Sequence, residues 1–598
     1  MTQHPQRETE IPSRTKALIF RGKAMLLQLR RGWQNSLNPR INCFRIDNEL
    51  KHQQIVAESK TELWTESDKA EQFLLAGKIQ NLRIAARKLN GLEIPANEIF
   101  SFWAQVGRTT RRKGYVSGRE LREGCIIPNL GGGLCQLSNA LYDAALQAGC
   151  EIIERHPHTQ VIPGSLAERG RDATVFWNYV DLRFRSDKTL RIEADLSANH
   201  LTVRFKTEKS KTPQLIQIAS LRNPNSESQI PNSCVSCGVE SCFRSVKQDK
   251  NVEFGRAAFL VDEFAPEFDS YVQENRSSKD LLFVPLDGKK FKKSNYAWNT
   301  TGFARLKQSR LTTIARAYKS RQLAAQGAGR QRNLLGMSEK LAASYAKSLP
   351  FDAVHLVVQQ NLLPFLWRDG HLGGRTFDVL MTGLPIEKLQ KRLDLAAKMH
   401  PESLTLGDFR ADEWLVNAEI EALKNARQII TPHTEIADLF PQQSVLLDWR
   451  TPAPKVFERR RTDKLTIVFP ASTIGRKGSY ELREALYGLE DNLKLIILGA
   501  ELEGDSFWRG FKIERRAEDW LATADLVVLP AFVEHKPRRL LLAAAAGVPV
   551  IASKACGLEN VKGITAIEFG DSAALRREII NALGLQKSLI ISAPLVLA

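Results

Sequence analysis

Nine short, almost unbroken apolar runs recur through the second half of this chain. They are AAFLVD, LLFVPLD, AVHLVVQ, FDVLMTG, ARQIITP, KLTIVFPAS, LKLIILGA, ADLVVLPA and GVPVIAS, with helix-length segments between them. A strand exposed on one face alternates apolar and polar residues, whereas a strand covered on both faces does not. Repeated buried strands spaced by helices read as βαβ units of a parallel sheet. The polar stretch TPAPKVFERRRTDK divides the runs into a series of five and a series of four. Two Rossmann-like α/β domains are therefore expected in tandem, over 251–455 and 456–598, with a ligand cleft between them.

The first half reads differently. Residues 1–75 are polar, basic and helical in pattern. A helix is expected in KIQNLRIAARKLN, where Ile79, Leu82, Ala86 and Leu89 share a stripe, and another over about Leu137 to Ala148. TLRIEADL and HLTVRF alternate with period two and read as a hairpin. Residues 76–206 are thus an α+β domain, and the polar segment 207–250 is a linker carrying a cysteine cluster. At 598 residues, several cores are needed in any case.

The formal net charge is +18, with an excess of Lys and Arg near the N-terminus. Such a balance favours anionic partners. No aromatic-interleaved groove or recognition helix is present, so nucleic acid is not favoured. No signal-peptide pattern or membrane-spanning run is visible, and the eight cysteines form no disulfide framework. The expected location is cytoplasmic. Residues 16–37 are either a basic amphipathic helix lying on the anionic inner membrane or a helix docked on its own domain.

The stretch NLGGGLCQLSNALYDAALQAGC holds three consecutive glycines, Gly131 to Gly133, and then Cys135. A thiol at a helix start behind a loop without Cβ atoms sits among unpaired amides that favour a thiolate and could hold an oxyanion. ERHPHTQ supplies His156 and His158 as bases, expected to point to one side. Asp172 could orient an imidazole, and Gln136 could add a donor. The plainer reading is a buried free cysteine, glycines where backbones touch, and histidines that cap loops. A zinc site from Cys135, His156 and His158 has no standard spacing.

These pieces carry a resemblance. NLRIAARKLNG, IPANEIFSFWAQVG, Gly114-Tyr115, GGGLCQLSNALYDAAL, ERHPHT, RDATVFWNYVDLRF and the closing hairpin resemble a VanW family domain over nearly all of 76–206. VanW proteins accompany some glycopeptide-resistance gene sets, which implies a cell-envelope role. Cys135, Gln136, His156, His158 and Asp172 fall inside the matching motifs.

CVSCGVESC gives Cys234, Cys237 and Cys242. C-x-x-C with a following glycine is a metal knuckle, so zinc or an iron–sulfur cluster is one reading. A redox-idle trio in a linker is the other.

The segment Ala524 to Cys556, with KLTIVFPASTIGRKGSYELREAL before it, resembles the donor-binding domain of retaining two-domain (GT-B) glycosyltransferases. Gly547, Pro549, Val550 and Ile551 match that family's turn and strand. The resemblance implies that Glu534 holds donor hydroxyls and that Lys477, before Gly478, binds the diphosphate of a nucleotide sugar. A cation beside a helix N-terminus suits a phosphate. The family's second glutamate falls at Leu542 and its upstream arginine at Thr473, where Arg476 could substitute. His355, His371 and His433 could reach the cleft but read as structural.

The expected fold class is multidomain: a VanW-like α+β domain followed by two Rossmann-like domains in a GT-B architecture. The expected function is transfer of a sugar from a nucleotide sugar to an envelope-related glycan or lipid acceptor. The alternative is a cysteine-dependent acyl-transfer or peptide-bond enzyme centred on Cys135, with the C-terminal half a glycan-binding module or scaffold.

Overall fold

Both apolar series fold into parallel sheets. In the first, the strands in chain order are Arg256–Leu260, Leu281–Val284, Arg305–Gln308, Ala353–Gln359, Thr376–Leu380, Gln428–Thr431 and Ser444–Leu446. Counting from its first strand, that sheet has the spatial order 3-2-1-4-5-6-7. The second is built from Leu465–Phe469, Leu493–Ile497, Ile513–Arg515, Leu526–Leu529, Val550–Ser553 and Ile564–Ile567, in the order 3-2-1-4-5-6. Its registers are parallel throughout, for example Val468↔Ile496 and Val528↔Ile551. In this doubly wound order the winding, and with it the strand order, reverses between strands one and four, which opens a crevice at their carboxyl ends. The Leu526–Leu529 and Val550–Ser553 strands are buried along their whole length, which is why they lack alternation.

The computed structural model describes residues 14–38, 41–66, 68–122, 125–158, 164–208, 232–233, 254–322, 327–407, 410–453, 460, 464–515 and 519–584. The chain separates into two compact units. One is Met1–Arg256 with Leu349–His355 and Asp369–Thr376; the other is Ala257–Ser348, Leu356–Arg368 and Phe377–Ala598. Both parallel sheets lie essentially in the second unit.

In the first unit an antiparallel sheet runs in the order Gln54–Glu62, His200–Thr207, Leu190–Leu196, Leu92–Ile94. The expected hairpin is present, with Ala194↔Val203 and Ile192↔Phe205 in register. Helices Lys69–Leu89 and Cys135–Gln147 share its core through Ile79, Leu82, Leu89, Leu137, Leu141, Ile192 and Phe205. Gln54–Glu62 lies in the stretch expected to be helical and is instead a strand paired with His200–Thr207. Of its nine residues only Ala57 and Ser59 are buried, so the polar sequence QIVAESKTE shows little apolar periodicity. The expected basic helix forms over Arg14–Ser36. Among the described residues no helix is long and apolar enough to cross a membrane.

Candidate functional site

A pocket of about 430 Å³ opens at the reversal point of the second sheet, lined by Pro470 and Ala471 after strand one and by Leu529 at the end of strand four. Five basic residues line it: Arg476, Lys477, Lys536, Arg538 and Arg539. Local backbone chemistry sets these positions. Gly478 has φ +75°, and a Cβ there would lie 2.1 Å from the Pro530 carbonyl oxygen, so the turn carrying Lys477 closes against the loop after strand four only with glycine. The amides of Phe532 and Val533 donate to the Arg476 carbonyl and fasten the two loops together.

Lys477 Nζ donates to the Val533 carbonyl and to Glu534 Oε2, both at 2.9 Å. Burial alone would raise the Glu534 pKa, but the Lys477 charge holds the carboxyl below its ordinary range. Its other oxygen accepts from the Lys536 amide at 2.8 Å. Arg539 is held by the carbonyls of Pro470 and Leu498, and Arg538 by Glu267. Arg538 and Arg539 open the helix Arg538–Ala545, where the macrodipole disfavours cations. The helix after Lys477, Ser479–Ala485, has only seven residues, so the expected helix-terminus contribution there is slight and the side-chain cation carries the charge. His535, next to Glu534, is drawn down to about 3 by burial and by Lys477.

In the first unit Cys135 is the first residue of helix Cys135–Gln147 and is half-buried. The Thr174 amide donates to the His156 carbonyl at 2.7 Å, which ties the His158 loop to the segment that carries Asp172. His158 Nδ1 is 2.5 Å from Asp172 Oδ1, and the His158 amide donates to the other oxygen. The Cys135 thiol donates to the Val175 carbonyl at 4.0 Å and lies close enough to the imidazole for its charge to act on it. The side chains of His158 and Asp172 are 17% and 4% exposed. Burial alone would lower the His158 pKa, but the bond to Asp172 and the charges of Asp172 and Cys135 outweigh it and raise it to about 10.

Several expectations about this loop are corrected. His156 is 53% exposed and turns to Glu154 at 3.4 Å, so it does not join His158. Gln136 Nε2 donates to Thr61 Oγ1 and the Glu62 carbonyl at 2.8 and 2.7 Å, and is spent as a donor. The amides of Gln136, Leu137 and Ser138 bond the carbonyls of Gly133 and Leu134 and are not free for an oxyanion. The three glycines accommodate the protein itself. Added Cβ atoms would lie 2.8 Å from Thr109 Cβ, 2.5 Å from the Gly118 oxygen and 2.2 Å from Lys78 Cγ, for Gly131, Gly132 and Gly133 in turn.

Comparison with known proteins now bears on both sites. Residues 77–206 match the family model described as VanW like protein, and residues 464–584 the model described as Glycosyl transferases group 1. The chain carries a VanW domain and a group 1 glycosyltransferase domain. YoaR of Bacillus subtilis (strain 168) is 39% identical over 106 residues, 18% of this chain and 34% of that protein. The vancomycin B-type resistance protein VanW of Enterococcus faecalis (strain ATCC 700802 / V583) is 37% identical over 113 residues, 18% of this chain and 41% of that one. The putative teichuronic acid biosynthesis glycosyltransferase TuaC of B. subtilis (strain 168) is 29% identical over 107 residues, 17% of this chain and 28% of that one. The chain thus spans less than half the length of each of these relatives. Among solved structures, sucrose-phosphate synthase from Thermosynechococcus elongatus aligns with a TM-score of 0.37 at 15% identity, over 56% of this chain and 90% of that one.

In the glycosyltransferase domain, Thr473 is fully buried beneath Trp508, whose Nε1 donates to its hydroxyl at 2.9 Å. Arg476, the residue expected to substitute for the arginine that the family has at Thr473, lines the pocket. Leu542 packs against the hydrophobic core. His433 is buried, with Nε2 3.2 Å from the Ala555 carbonyl, as a structural histidine would be. His355 and His371 group with the first unit, where His371 Nε2 is 3.4 Å from Arg87. Sequence reasoning missed Lys536, Arg538 and Arg539. Their signal was the basic run HKPRR directly after Glu534. Cys234, Cys237 and Cys242, and with them the zinc or iron–sulfur expectation, lie outside the described residues. Among the described residues no cluster of three or more His, Cys, Asp or Glu forms a metal site.

Proposed function

We propose that the protein transfers a sugar from a nucleotide sugar to an envelope-related glycan or lipid acceptor, using two doubly wound domains in a GT-B arrangement. The observation that carries this reading is the five-cation pocket at the strand reversal point, inside a domain matched to group 1 glycosyltransferases. When the bond from the anomeric carbon to the diphosphate breaks, the electron pair stays on the departing oxygen. The leaving diphosphate gains charge in the transition state, and fixed cations there lower the barrier. Lys477 and Arg476 meet the phosphates. Glu534, held ionised, accepts hydrogen bonds from donor hydroxyls through lone pairs that Lys477 and the Lys536 amide leave free.

Lys536 and Arg538 also reach Glu263 and Glu267, which follow strand one of the first sheet. This supports an acceptor approaching from that side. The names of two partial relatives, a vancomycin resistance protein and a teichuronic acid glycosyltransferase, favour an envelope acceptor. In the Arg14–Ser36 helix, Ile19, Leu26, Leu29 and Trp33 are exposed alongside Lys23 and Arg30. This supports cytoplasmic work against an anionic inner-membrane surface.

The test is a thermal-shift and turnover panel of nucleotide sugars on the full chain. Stabilisation by one nucleoside diphosphate class, lost in Lys477→Ala, is expected. No response to any of them would reject the reading. The comparisons lend no support to a C-terminal half that merely binds glycans, since residues 464–584 match transferases.

A further inference from the structure

We propose that one face of the domain built on the first parallel sheet docks on an anionic phospholipid bilayer. The face joins the loop after that sheet's second strand to the helix after its third. From Gly288 to Ser338 the chain holds twelve Lys or Arg and no Asp or Glu. The loop reads GKKFKKS, with Lys289, Lys290, Lys292 and Lys293 exposed around an exposed Phe291. The helix Arg310–Gln322 leaves Leu311, Ile314 and Tyr318 exposed, Leu311 at 85%. Positions i, i+3 and i+7 share one side of a helix, so these three form a single apolar stripe.

Both parts of the face are held from behind. The Gly288 amide donates to the Tyr296 carbonyl at 3.0 Å and the Lys293 amide to the Gly288 carbonyl at 2.8 Å, so the loop is closed at its base. A Cβ on Gly288 would lie 2.2 Å from the Tyr296 oxygen. The helix is anchored by its other side. Thr313 is buried, and Arg316 Nη1 donates to both oxygens of Asp262 at 2.7 and 2.6 Å. The apolar stripe thus lies opposite the anchored side. Cζ of Arg310 sits over the Phe291 ring, 5.2 Å from its centre, and joins loop and helix into one patch.

Charge and apolar exposure together select the occupant. Neither GKKFKKS nor the helix contains an acidic residue. Apolar side chains flanked only by cations suit a surface where the former enter the acyl boundary and the latter meet lipid phosphates. A nucleic acid would match the charge but not exposed Leu311 and Ile314, since its bases and sugars call for aromatic and hydrogen-bonding side chains. Each lysine near an anionic membrane strengthens binding by about fivefold, so the four of the loop give a strong preference for anionic lipid. Strands one to three are parallel, so this loop, the start of the helix and Glu263 share the carboxyl edge. The Phe264 amide, next to Glu263, donates to the Asn295 carbonyl of the loop at 2.8 Å. Docking therefore turns the Glu263 side of the crevice toward a substrate standing on the bilayer. That consequence rests on the transferase reading; the docking does not.

The experiment is hydroxyl-radical footprinting of the full chain, read by peptide mass spectrometry. The chain is labelled alone, with phosphatidylglycerol vesicles and with phosphatidylcholine vesicles. Exposed Tyr487, in the domain of the second sheet, is the internal reference. Labelling of Phe291, Leu311, Ile314 and Tyr318 should fall at least about threefold with phosphatidylglycerol and stay unchanged with phosphatidylcholine. Tyr487 should not change with either. Lys289→Glu/Lys290→Glu and, separately, Leu311→Asp/Ile314→Asp should remove the protection, even where the Arg14–Ser36 helix still carries the chain to the vesicles. UDP titration of the same preparations reports on the nucleotide site, so failure there and failure here are told apart. Unchanged labelling of the four residues with phosphatidylglycerol overturns the proposal, whether or not the chain sediments with the vesicles. So does equal protection by a single-stranded oligonucleotide, which would mark a nucleic-acid surface. Protection that grows with protein concentration in the absence of lipid would mark a second copy and also overturns it. The wild-type footprint decides the matter even if a variant fails to fold.

Discussion

Removing the Lys477 ammonium should separate two effects that the pocket combines. Its Nζ lies 2.9 Å from Glu534 Oε2, with the two side chains 18% and 14% exposed. Unit charges at that distance attract by roughly 6 kcal/mol at an effective dielectric of about 20. Desolvation of both groups offsets much of this. Removing one partner, however, leaves a buried carboxylate unpaired, at a cost of about 3–5 kcal/mol. Lys477→Ala should therefore destabilise the unliganded domain by about that amount and also lose nucleoside diphosphate affinity. Loss of one charge-assisted phosphate contact is worth about 1.5–3 kcal/mol, or roughly ten- to a hundredfold in Kd. The double variant Lys477→Ala/Glu534→Gln should recover most of the melting temperature but none of the affinity. The assay is paired differential scanning and titration calorimetry, using UDP, GDP and ADP as ligands. Unchanged nucleotide affinity in folded Lys477→Ala would refute the reasoning.

Other consequences are as direct. The lowered Glu534 pKa makes its pairing stabilising above the unfolded value, and this contribution is lost as pH falls through the folded value. Glu534→Gln should accordingly flatten the acid limb of the stability curve. It should also keep diphosphate binding while transfer slows. His158, raised to about 10 against burial by its bond to Asp172 and the charges of Asp172 and Cys135, behaves with the opposite sign. Its contribution is complete below about 6.5 and lost as pH rises through about 10, so His158→Gln should flatten the alkaline limb, as read by chemical denaturation at stepped pH. Gly478→Ala places a Cβ 2.1 Å from the Pro530 oxygen at φ +75°; a loss of at least about 2 kcal/mol is expected in denaturant titrations. Trp33→Asp should reduce sedimentation of the full chain with phosphatidylglycerol vesicles and leave its melting temperature unchanged, because Trp33 is 67% exposed.

The doubly wound sheets were legible because buried parallel strands cannot hide their apolar runs. The Gln54–Glu62 strand was not, since with two buried residues it carries almost no periodicity. The motif spacing singled out His156, His158 and Asp172 alike, yet which histidine meets Asp172 depends on how two loop segments come together. No local pattern encodes that choice. The glycine run was ambiguous for the same reason: its close neighbours, Thr109, Gly118 and Lys78, come from other parts of the chain. At the phosphate pocket, motif spacing pointed to Lys477 and Glu534. Lys536, Arg538 and Arg539 join them through the meeting of two loops at the carboxyl edge of the sheet.

The most direct measurement of the central claim is product formation from a panel of nucleotide sugars incubated with the full chain and followed by mass spectrometry. Release of a nucleoside diphosphate from at least one of them, abolished in Lys477→Ala, is predicted. Intact nucleotide sugars throughout, with no diphosphate bound to folded protein, would contradict it.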